Sequence, residues 1–353
     1  MTTSAARARR VLVLAQGPEA DPCVPLVCRA IEARGGEMVA VDLARFPADL
    51  ALALELDGAA ARGTLDGVRL DDIDATWIRH LTPGGLPETL GREEREACAA
   101  QAEAALWVVA GCVGGYQLDP PEAVCAVPSK ARQQQVAAAF GLDVPRTLVT
   151  NDPEAVRAFA RRAPGGVVCK LIESGTVSVR QSDGTRAFPT TALDAEDLAG
   201  DGLAGLALSP MLVQERLDKA LELRVTVVGA RTFVAAVDPR GAVDVRLDPA
   251  LMRALRPFDG LPDAVRARLL ALLDHFGLDF ATLDVVLTRD GRWVLLEVNT
   301  TSFFDHVEVC AGLPISGAVA ELLLGLAPPR VSRAAPRGRR AMGRRGRAGA
   351  TVR

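Results

Sequence analysis

The tightest constraint on this chain lies near its C-terminal end, where Asp290-Gly291 separates two apolar runs, Ala281–Thr288 and Trp293–Asn299. An Asp-Gly pair between such runs is a strong signal for a two-residue β-hairpin turn. That turn places Asp284 directly across from Glu297. Asn299 shares the face of Glu297, because strand side chains alternate. Two carboxylates facing each other within LDVVL and WVLLEVN repel and resist desolvation. A divalent cation between them resolves both problems, and an oxygen-only set of Asp, Glu and Asn suits Mg2+, which keeps water and phosphate oxygens in its shell. The plainer alternative is a solvent-facing sheet that tolerates the acids, and a slipped register would part the pair.

The rest of the chain gives that hairpin ample context. Its 353 residues are long enough for about two or three domains with a buried core. The composition, 49% hydrophobic and 24% charged, is that of a globular protein. No run approaches the roughly 18 apolar residues of a membrane span, and the apolar stretch Val11–Ala15 is too short for a signal-peptide core. Seven cysteines with no C-x-x-C argue against a disulfide framework or a zinc site and for a reducing cytoplasm. From Arg330 onward there are nine arginines and no acid, so a net charge of −3 conceals a body near −12. An acidic body argues against nucleic-acid binding. Residues 328–353, rich in Arg, Gly, Ala and Pro, read as a disordered tail: a solvated extension, or a docking arm for an acidic partner.

The expected class is α/β (α+β). Val11–Ala15, a helix over Pro25–Arg34 and Met38–Val41 make a βαβ beginning. Ala51–Leu56 and Thr64–Leu70 read as a hairpin, Ala75–Arg79 as a strand, Arg92–Gly111 as a long helix and Leu118–Ala126 as a linker. Residues 1–127 thus form an N-terminal α/β unit. A second unit, 128–214, begins with a helix from Ser129, expected as its N-cap, to Phe140. It continues through strands at Arg146–Thr150 and Val167–Leu171, a small-residue loop Ser174-Gly175-Thr176, and a hairpin around Ser182-Asp183-Gly184. Leu212–Leu217 leads into the third unit, 215–327. There Leu223–Val228 and Thr232–Val237 form a hairpin, Asp263–Phe276 a helix, and Ile315–Leu326 a closing helix.

Composition sharpens the chemistry. The basic residues are almost all arginine, and the only lysines are Lys130, Lys170 and Lys219. A lysine kept where arginine is the default suggests a need for a compact ammonium. Lys170 ends a strand before the small-residue loop, a plausible phosphate clamp. Lys130 opens a helix, where anions are favoured. Ordinary surface lysines are the alternative for each. Glu222 with Arg224, and Asp244 with Arg246 in VDVR, lie two apart in expected strands, so each pair projects on one face. The functional reading puts Glu222 on a ribose and Arg224 and Arg246 on phosphate or acyl-phosphate charge; edge ion pairs are the alternative. There is no G-x-x-x-x-G-K, no G-x-G-x-x-G after the first strand, and no nucleophile–His–acid signature. His275 reads as packing or surface. His80 and His306 border an acceptor pocket or are structural.

These residues, in this order, resemble the ATP-grasp ligases. SK-x2-Q at Ser129–Gln133 and VVCK at Val167–Lys170 resemble that family's two ATP-binding lysine segments. LVQERL at Leu212–Leu217 is similar to its adenine-binding hinge, ELRVTVVG at Glu222–Gly229 to its ribose-and-phosphate strand, and LDVV with LLEVN to its magnesium site. A narrower resemblance, to ribosomal-peptide maturases of the microviridin type, runs through FPADLAL, DDIDATWIRH, GL-x-VP-x-TLVTNDPE and VDVR. That group is closer than the ligase that adds glutamates to a ribosomal protein.

The resemblance implies a three-domain ATP-grasp architecture in which residues 1–127 precede the grasp, 128–214 form its lid and 215–327 carry the metal site. It implies ATP and Mg2+ as cofactors, with Lys130, Lys170, Gln214, Glu215, Leu217 and Glu222 at the nucleotide. Asp284, Glu297 and Asn299 would hold the metal, and Arg224 and Arg246 would be catalytic. It implies ATP-driven activation of a carboxylate as an acyl phosphate, then an ester or amide bond, often closing a ring, on a precursor peptide with a leader and an acidic core. A homodimer is one assembly open to it. The alternatives are a ligase of free amino acids or of a protein terminus, and a non-catalytic scaffold that binds nucleotide or leader peptide. The chain departs from the family where Asn299 runs into Thr300-Thr301-Ser302-Phe303-Phe304-Asp305-His306, where Arg79-His80 stands for an arginine pair, and in the single Gly175.

Overall fold

Strand β1 (Arg10–Ala15) has its last five residues, VLVLA, wholly buried, which a strand achieves only when both faces of its sheet are covered. The computed structural model describes residues 7–331 except 18–19, 59, 173–178, 182–183 and 187–188, with backbone alone at 179–181 and 184–186. The loop Ser174-Gly175-Thr176, the turn residues Ser182-Asp183 and the arginines from Arg333 onward lie outside the described residues.

Around β1 run the parallel strands β2 (Glu37–Asp42), β6 (Ala75–Ile78) and β7 (Tyr116–Leu118), in the order β2-β1-β6-β7. Alternation divides β1 between two cores. Val11, Val13 and Ala15 join helix α1 (Cys23–Glu32), while Leu12 and Leu14 join helix α2 (Arg92–Cys112). The first core also takes in α10 (Ile315–Leu323), so the end of the chain packs on its beginning. Beside this sheet, β3 (Leu52–Asp57), β4 (Ala60–Leu65) and β5 (Val68–Arg69) form a small antiparallel sheet instead of the expected hairpin, because Asp66-Gly67 turns the chain before Val68. The expected linker 118–126 is not one. Its start ends β7, and Pro121 opens a helix, α3 (Pro121–Ala126), consistent with proline at a first helical turn.

The middle unit begins with α4 (Lys130–Ala139). Ser129 occupies its N-cap position, but its side chain makes no cap hydrogen bond, against expectation. Four antiparallel strands follow in the order β12-β9-β13-β8: β8 (Thr147–Thr150), β9 (Val167–Lys170), β12 (Thr191–Leu193) and β13 (Met211–Glu215). Helix α5 (Pro153–Ala160), capped by Asp152, buries Val156 and Phe159 against them, with the short α6 (Ala195–Leu198) at the rim. The backbones of β10 (Val179–Gln181) and β11 (Gly184–Arg186) pair as a separate hairpin.

The third unit is an antiparallel sheet, β16-β15-β14-β17-β18. It comprises β14 (Lys219–Val228), β15 (Arg231–Val237), the two-residue edge β16 (Arg256–Pro257), β17 (Phe280–Thr288) and β18 (Trp293–Asn299). Leu223, Val225 and Val227 pack with Leu283 and Val285 under helix α8 (Asp263–Phe276). The opposite face carries Glu222, Arg224 and Asp284. VDVR is not a strand: Asp244 accepts from the Arg246 N–H at 3.1 Å and caps a 3-10 turn at Val245–Leu247, before helix α7 (Pro249–Arg253). The segment after Asn299 winds into helix α9 (Asp305–Ala311). Residues 328–331, assigned to the tail, are bound to the body. Arg330 reaches the Gly229 carbonyl and the Asp274 carboxylate, and its N–H donates to Asp279 at 2.8 Å. Among the described residues no helix is long and apolar enough to cross a membrane.

Asp119, just after β7, joins the first unit to the third. It is buried and accepts the N–H groups of Asp279 (2.8 Å) and Phe280 (2.9 Å) at the start of β17. Asp119→Ala strands two buried donors and should lower stability by about 2–4 kcal/mol in urea unfolding. A loss below about 1 kcal/mol would mean that water takes over both hydrogen bonds.

Candidate active site

The charged face of the third sheet looks across a cavity of about 410 Å³ at β9 and β13 of the second. That volume lies within the range of small-molecule sites, roughly 300–1,000 Å³. Lys170, Leu212 and Gln214 line one wall, and Glu222, Arg224 and Asp284 the other.

Asp284 and Glu297 are directly opposed, but not through the expected turn. The loop has three residues, Arg289-Asp290-Gly291. It is closed by the Thr288 N–H donating to Arg292 O at 2.9 Å, with Gly291 at φ +87°, where only glycine is unstrained. This shifts every pair near the turn by one: Val285 faces Leu295, and Leu287 faces Trp293. A β-bulge at Leu296 then inserts one residue and restores the register from Asp284–Glu297 to Thr282–Asn299. The bulge also resets the alternation of β18. Val294 and Leu296 pack with Leu217 and Val286, Leu295 and Val298 enter the core under α8, and Glu297 shares the cavity side with Leu296. Without the bulge Glu297 would point into that core.

Helix α4 holds the bulge. The Gln134 side chain donates to the Leu296 carbonyl at 3.1 Å. The Gln133 amide makes both hydrogen bonds to the backbone of Val298, 3.1 and 2.9 Å, as a neighbouring strand would. Gln134 Oε1 also accepts from Thr147 Oγ1 (2.8 Å) and Gln214 Nε2 (3.1 Å). One buried amide thus joins the acidic hairpin to β8 and β13.

Each acid of the site is held by a cation. Asp284 is paired with Arg224, its cross-strand neighbour on β14. Glu297 lies 3.5 Å from Lys130 Nζ. Glu222 is paired with Lys219, whose ammonium also donates to the Val243 carbonyl at 2.7 Å. A second bulge, at Ala220, gives Lys219 and Glu222 this common side. Asp244 makes a two-pronged pair with Arg246, 2.8 and 2.6 Å. Burial disfavours the Arg224 charge, yet Asp284 beside it outweighs that and raises its pKa. Burial likewise opposes ionisation of Asp244, but Arg246 holds its carboxyl down at about 2. Lys170 is half-buried, and burial together with the nearby Lys130 lowers its ammonium to about 8.

The remaining expected residues fall into distinct places. The Gln214 side chain is buried against Gln134 and Thr147, so the wall it gives the cavity belongs to β13 itself. Glu215 lines the cavity while pairing with Arg146 at 2.9 Å, and Leu217 packs on Val286 and Val294. Asn299 ends β18 opposite Thr282, one row beyond the Asp284–Glu297 pair. His275 is exposed; its ring meets Phe140. Among the described residues no three His, Cys, Asp or Glu side chains cluster as a metal site. Two half-buried carboxylates with an amide nearby still fit Mg2+, which leaves positions for water and phosphate. Lys219, Gln134 and Thr147 had no assigned role from sequence; for Lys219 the scarcity of lysine was the available signal.

Comparison with known proteins shows which chains share this fold. Residues 10–124 match the family described as the MvdD pre-ATP grasp domain. The solved structure of the macrocyclase MdnC from Microcystis aeruginosa MRC, bound with precursor peptide MdnA, is 32% identical with a TM-score of 0.79. The alignment covers 90% of this chain and all of that one. A probable alpha-L-glutamate ligase of Xanthomonas oryzae pv. oryzae is 28% identical over 60% of this chain and 69% of its own length. An N5-carboxyaminoimidazole ribonucleotide synthase of Mycobacterium tuberculosis is 28% identical over 57% of this chain, which spans about half, 49%, of that protein's length.

Gln134→Leu leaves Leu296 O, Thr147 and Gln214 short of a partner, and we expect it to cost about 2–4 kcal/mol in urea unfolding. As a phosphate ligand Lys170 would need its charge, and its depressed pKa means that the charge is present below about 8 and lost above it. Affinity for AMP-PNP with magnesium, measured by calorimetry, should be level near pH 7 and fall about tenfold per unit above pH 8. Affinity that stays level to about pH 9.5 would remove Lys170 from the phosphate site.

Proposed function

The chain belongs to the ATP-grasp ligases, in the group of peptide macrocyclases that includes MdnC, and from this we propose that it uses ATP and Mg2+ to activate a carboxyl group of a peptide and join it to a hydroxyl or amine. The observation that carries the reading is the row Arg224–Asp284–Glu297, with Lys130 against its far end: acids suited to a metal, already held by cations suited to phosphate. The peptide class is supported by the likeness to a macrocyclase crystallised with its precursor over nearly the whole chain.

Bound between Asp284 and Glu297, with Asn299 nearby, Mg2+ would neutralise charge on the β- and γ-phosphates. Lys170 and Lys130 hold the phosphates as compact charges, and Glu222, steadied by Lys219, faces the ribose. Leu217, with Val168, Val286 and Leu296, forms the apolar wall for the base, and Gln214 and Glu215 at the end of β13 border it. Arg224, released from Asp284, meets the charge that spreads over the transferring phosphoryl group. A carboxylate oxygen of the peptide attacks the γ-phosphorus, and the bond to the β-phosphate oxygen breaks, releasing ADP. Arg246 steadies the resulting acyl phosphate. The nucleophile then attacks the carbonyl carbon, loses its proton, and inorganic phosphate leaves. Positioning and charge neutralisation suffice for both steps, with no covalent protein intermediate. A reducing cytoplasm is the setting we propose, supported by seven cysteines that are all free thiols.

The test is ADP release with magnesium and a short acidic peptide encoded beside the gene, with mass spectrometry to detect loss of one water per bond formed. Product from free amino acids instead would assign the second ligase reading, and tight ATP binding without turnover would assign a scaffold. Glu297→Gln removes a metal charge and leaves Lys130 without its acid. Turnover should fall at least about 1,000-fold with unfolding stability within about 1 kcal/mol. Retained turnover would remove Glu297 from the metal site.

A further inference from the structure

Among the described residues, the one fully buried cationic side chain is Arg79, just after β6. Its side chain and that of Asp21 are each 1% exposed, and its Nε donates to Asp21 Oδ2 at 2.7 Å. Asp21 also accepts the Cys23 N–H at 3.0 Å, which fixes the loop between β1 and α1. Two further contacts of the Arg79 side chain go to the segment that leaves Asn299. Its Nη2 donates to the Ser302 carbonyl at 3.1 Å, and its guanidinium lies over the Phe303 ring at 5.8 Å as well as over the Trp77 ring of β6 at 5.0 Å. Beside it, Cys23 Sγ accepts the Phe304 N–H at 3.2 Å, and burial pushes that thiol up to about 12, so it stays neutral. Phe304 is buried against Phe280 at 5.8 Å. Phe303 is 40% exposed and its ring meets His80 at 5.5 Å.

The segment held this way lies next to the reacting end of the site. Phe280 precedes Asp284 by four residues on β17, roughly 13 Å at 3.3 Å per residue. Between them runs the Thr226–Thr282–Asn299 row. A buried ion pair is often no more stabilising than apolar residues of the same volume. Fold stability alone is therefore a weak reason for this pair. Its geometry serves the 300–304 segment.

We propose that Arg79, held by Asp21, is the positioning residue of the acceptor side: it sets the course of residues 300–304 and so presents the Phe303–His80 surface to the peptide that receives the activated carboxyl group. This rests on the ligase reading. The nucleotide side is built from other elements, so Arg79 governs acceptor use and leaves nucleotide binding alone.

The test pairs Arg79→Met, which keeps bulk without charge, with Arg79→Lys, which keeps charge without the fork. The first arm needs no acceptor. Hydrogen exchange at amides 302–305 should quicken about tenfold in Arg79→Met and less in Arg79→Lys, while exchange in β14 and affinity for AMP-PNP with magnesium stay within about twofold. Unchanged exchange at 302–305, or equal quickening across the molecule, overturns the proposal, the latter making the pair a general stabiliser. In the second arm, with the peptide that yields product on the unaltered protein, KM for peptide should rise about tenfold with KM for ATP within about twofold, and Arg79→Lys should recover part of the loss. Equal changes in both constants overturn it. If the unaltered protein releases no ADP, the ligase reading fails, and the exchange result still decides whether Arg79 positions the segment.

Discussion

The site depends on one misfit in a β-ladder, the extra residue Leu296 in β18 and the glutamine that holds it. An undisturbed strand would alternate Glu297 into the apolar core under α8, where an ionised carboxylate is not tolerated. The bulge reverses that alternation for the last three residues of the strand alone. Its unpaired backbone needs partners, and Gln133 and Gln134 supply them from the helix that also carries Lys130. The element that aims the acid thus also brings the cation that faces it. Because Gln134 is bonded to Thr147 and Gln214 as well, the nucleotide wall on β13 and the acidic hairpin share one support.

Four acids around the cavity are each balanced by a cation of the protein. Arg224 holds Asp284, Lys130 meets Glu297, Lys219 holds Glu222 and Arg246 holds Asp244. Removing one partner of such a half-buried pair strands the other. A metal ion alone would displace cations with nowhere favourable to go, and a phosphate chain alone would displace acids. In the proposed reading, metal and triphosphate arriving together would exchange partners, and these four acids and their cations would stay compensated. Thr190 reinforces this: its N–H donates to Asp244 at 3.3 Å, so one of these pairs also connects the second sheet to the third.

Much of this was legible in the sequence, for unequal reasons. Apolar runs such as VLVLA and LDVVL, and helices with clear stops such as Asp263–Phe276, were read correctly because burial dictates their pattern. The Asp284–Glu297 pairing was read correctly through two errors that cancel: a turn one residue too short and a bulge not foreseen. Neither leaves a local signal, since a three-residue loop ending in Gly291 and a two-residue Asp-Gly turn have the same letters. VDVR failed for a different reason. Its alternation suits a strand, but the short Asp244 side chain caps its own backbone, a competition that period alone does not reveal. Residues 118–126 were taken for a linker because prolines break helices, although Pro121 at a first turn starts one. Arg330 looked like tail by composition and is bound to Asp274, Asp279 and Gly229 by geometry.

The same contrast separates the two halves of the reaction centre. The proposed nucleotide half is made of side chains on β14, β17 and β18 whose residue types and order can be seen in one dimension. The acceptor half is assembled from Asp21, Cys23, Arg79 and residues 302–305, which are separated by up to about three hundred residues and joined through backbone carbonyls and N–H groups that carry no sequence signature. Contacts of that kind constrain shape without constraining residue type at Ser302. A ligase can therefore keep its phosphate chemistry while the surface that chooses the acceptor changes, provided a buried cation such as Arg79 still finds the carbonyl it holds.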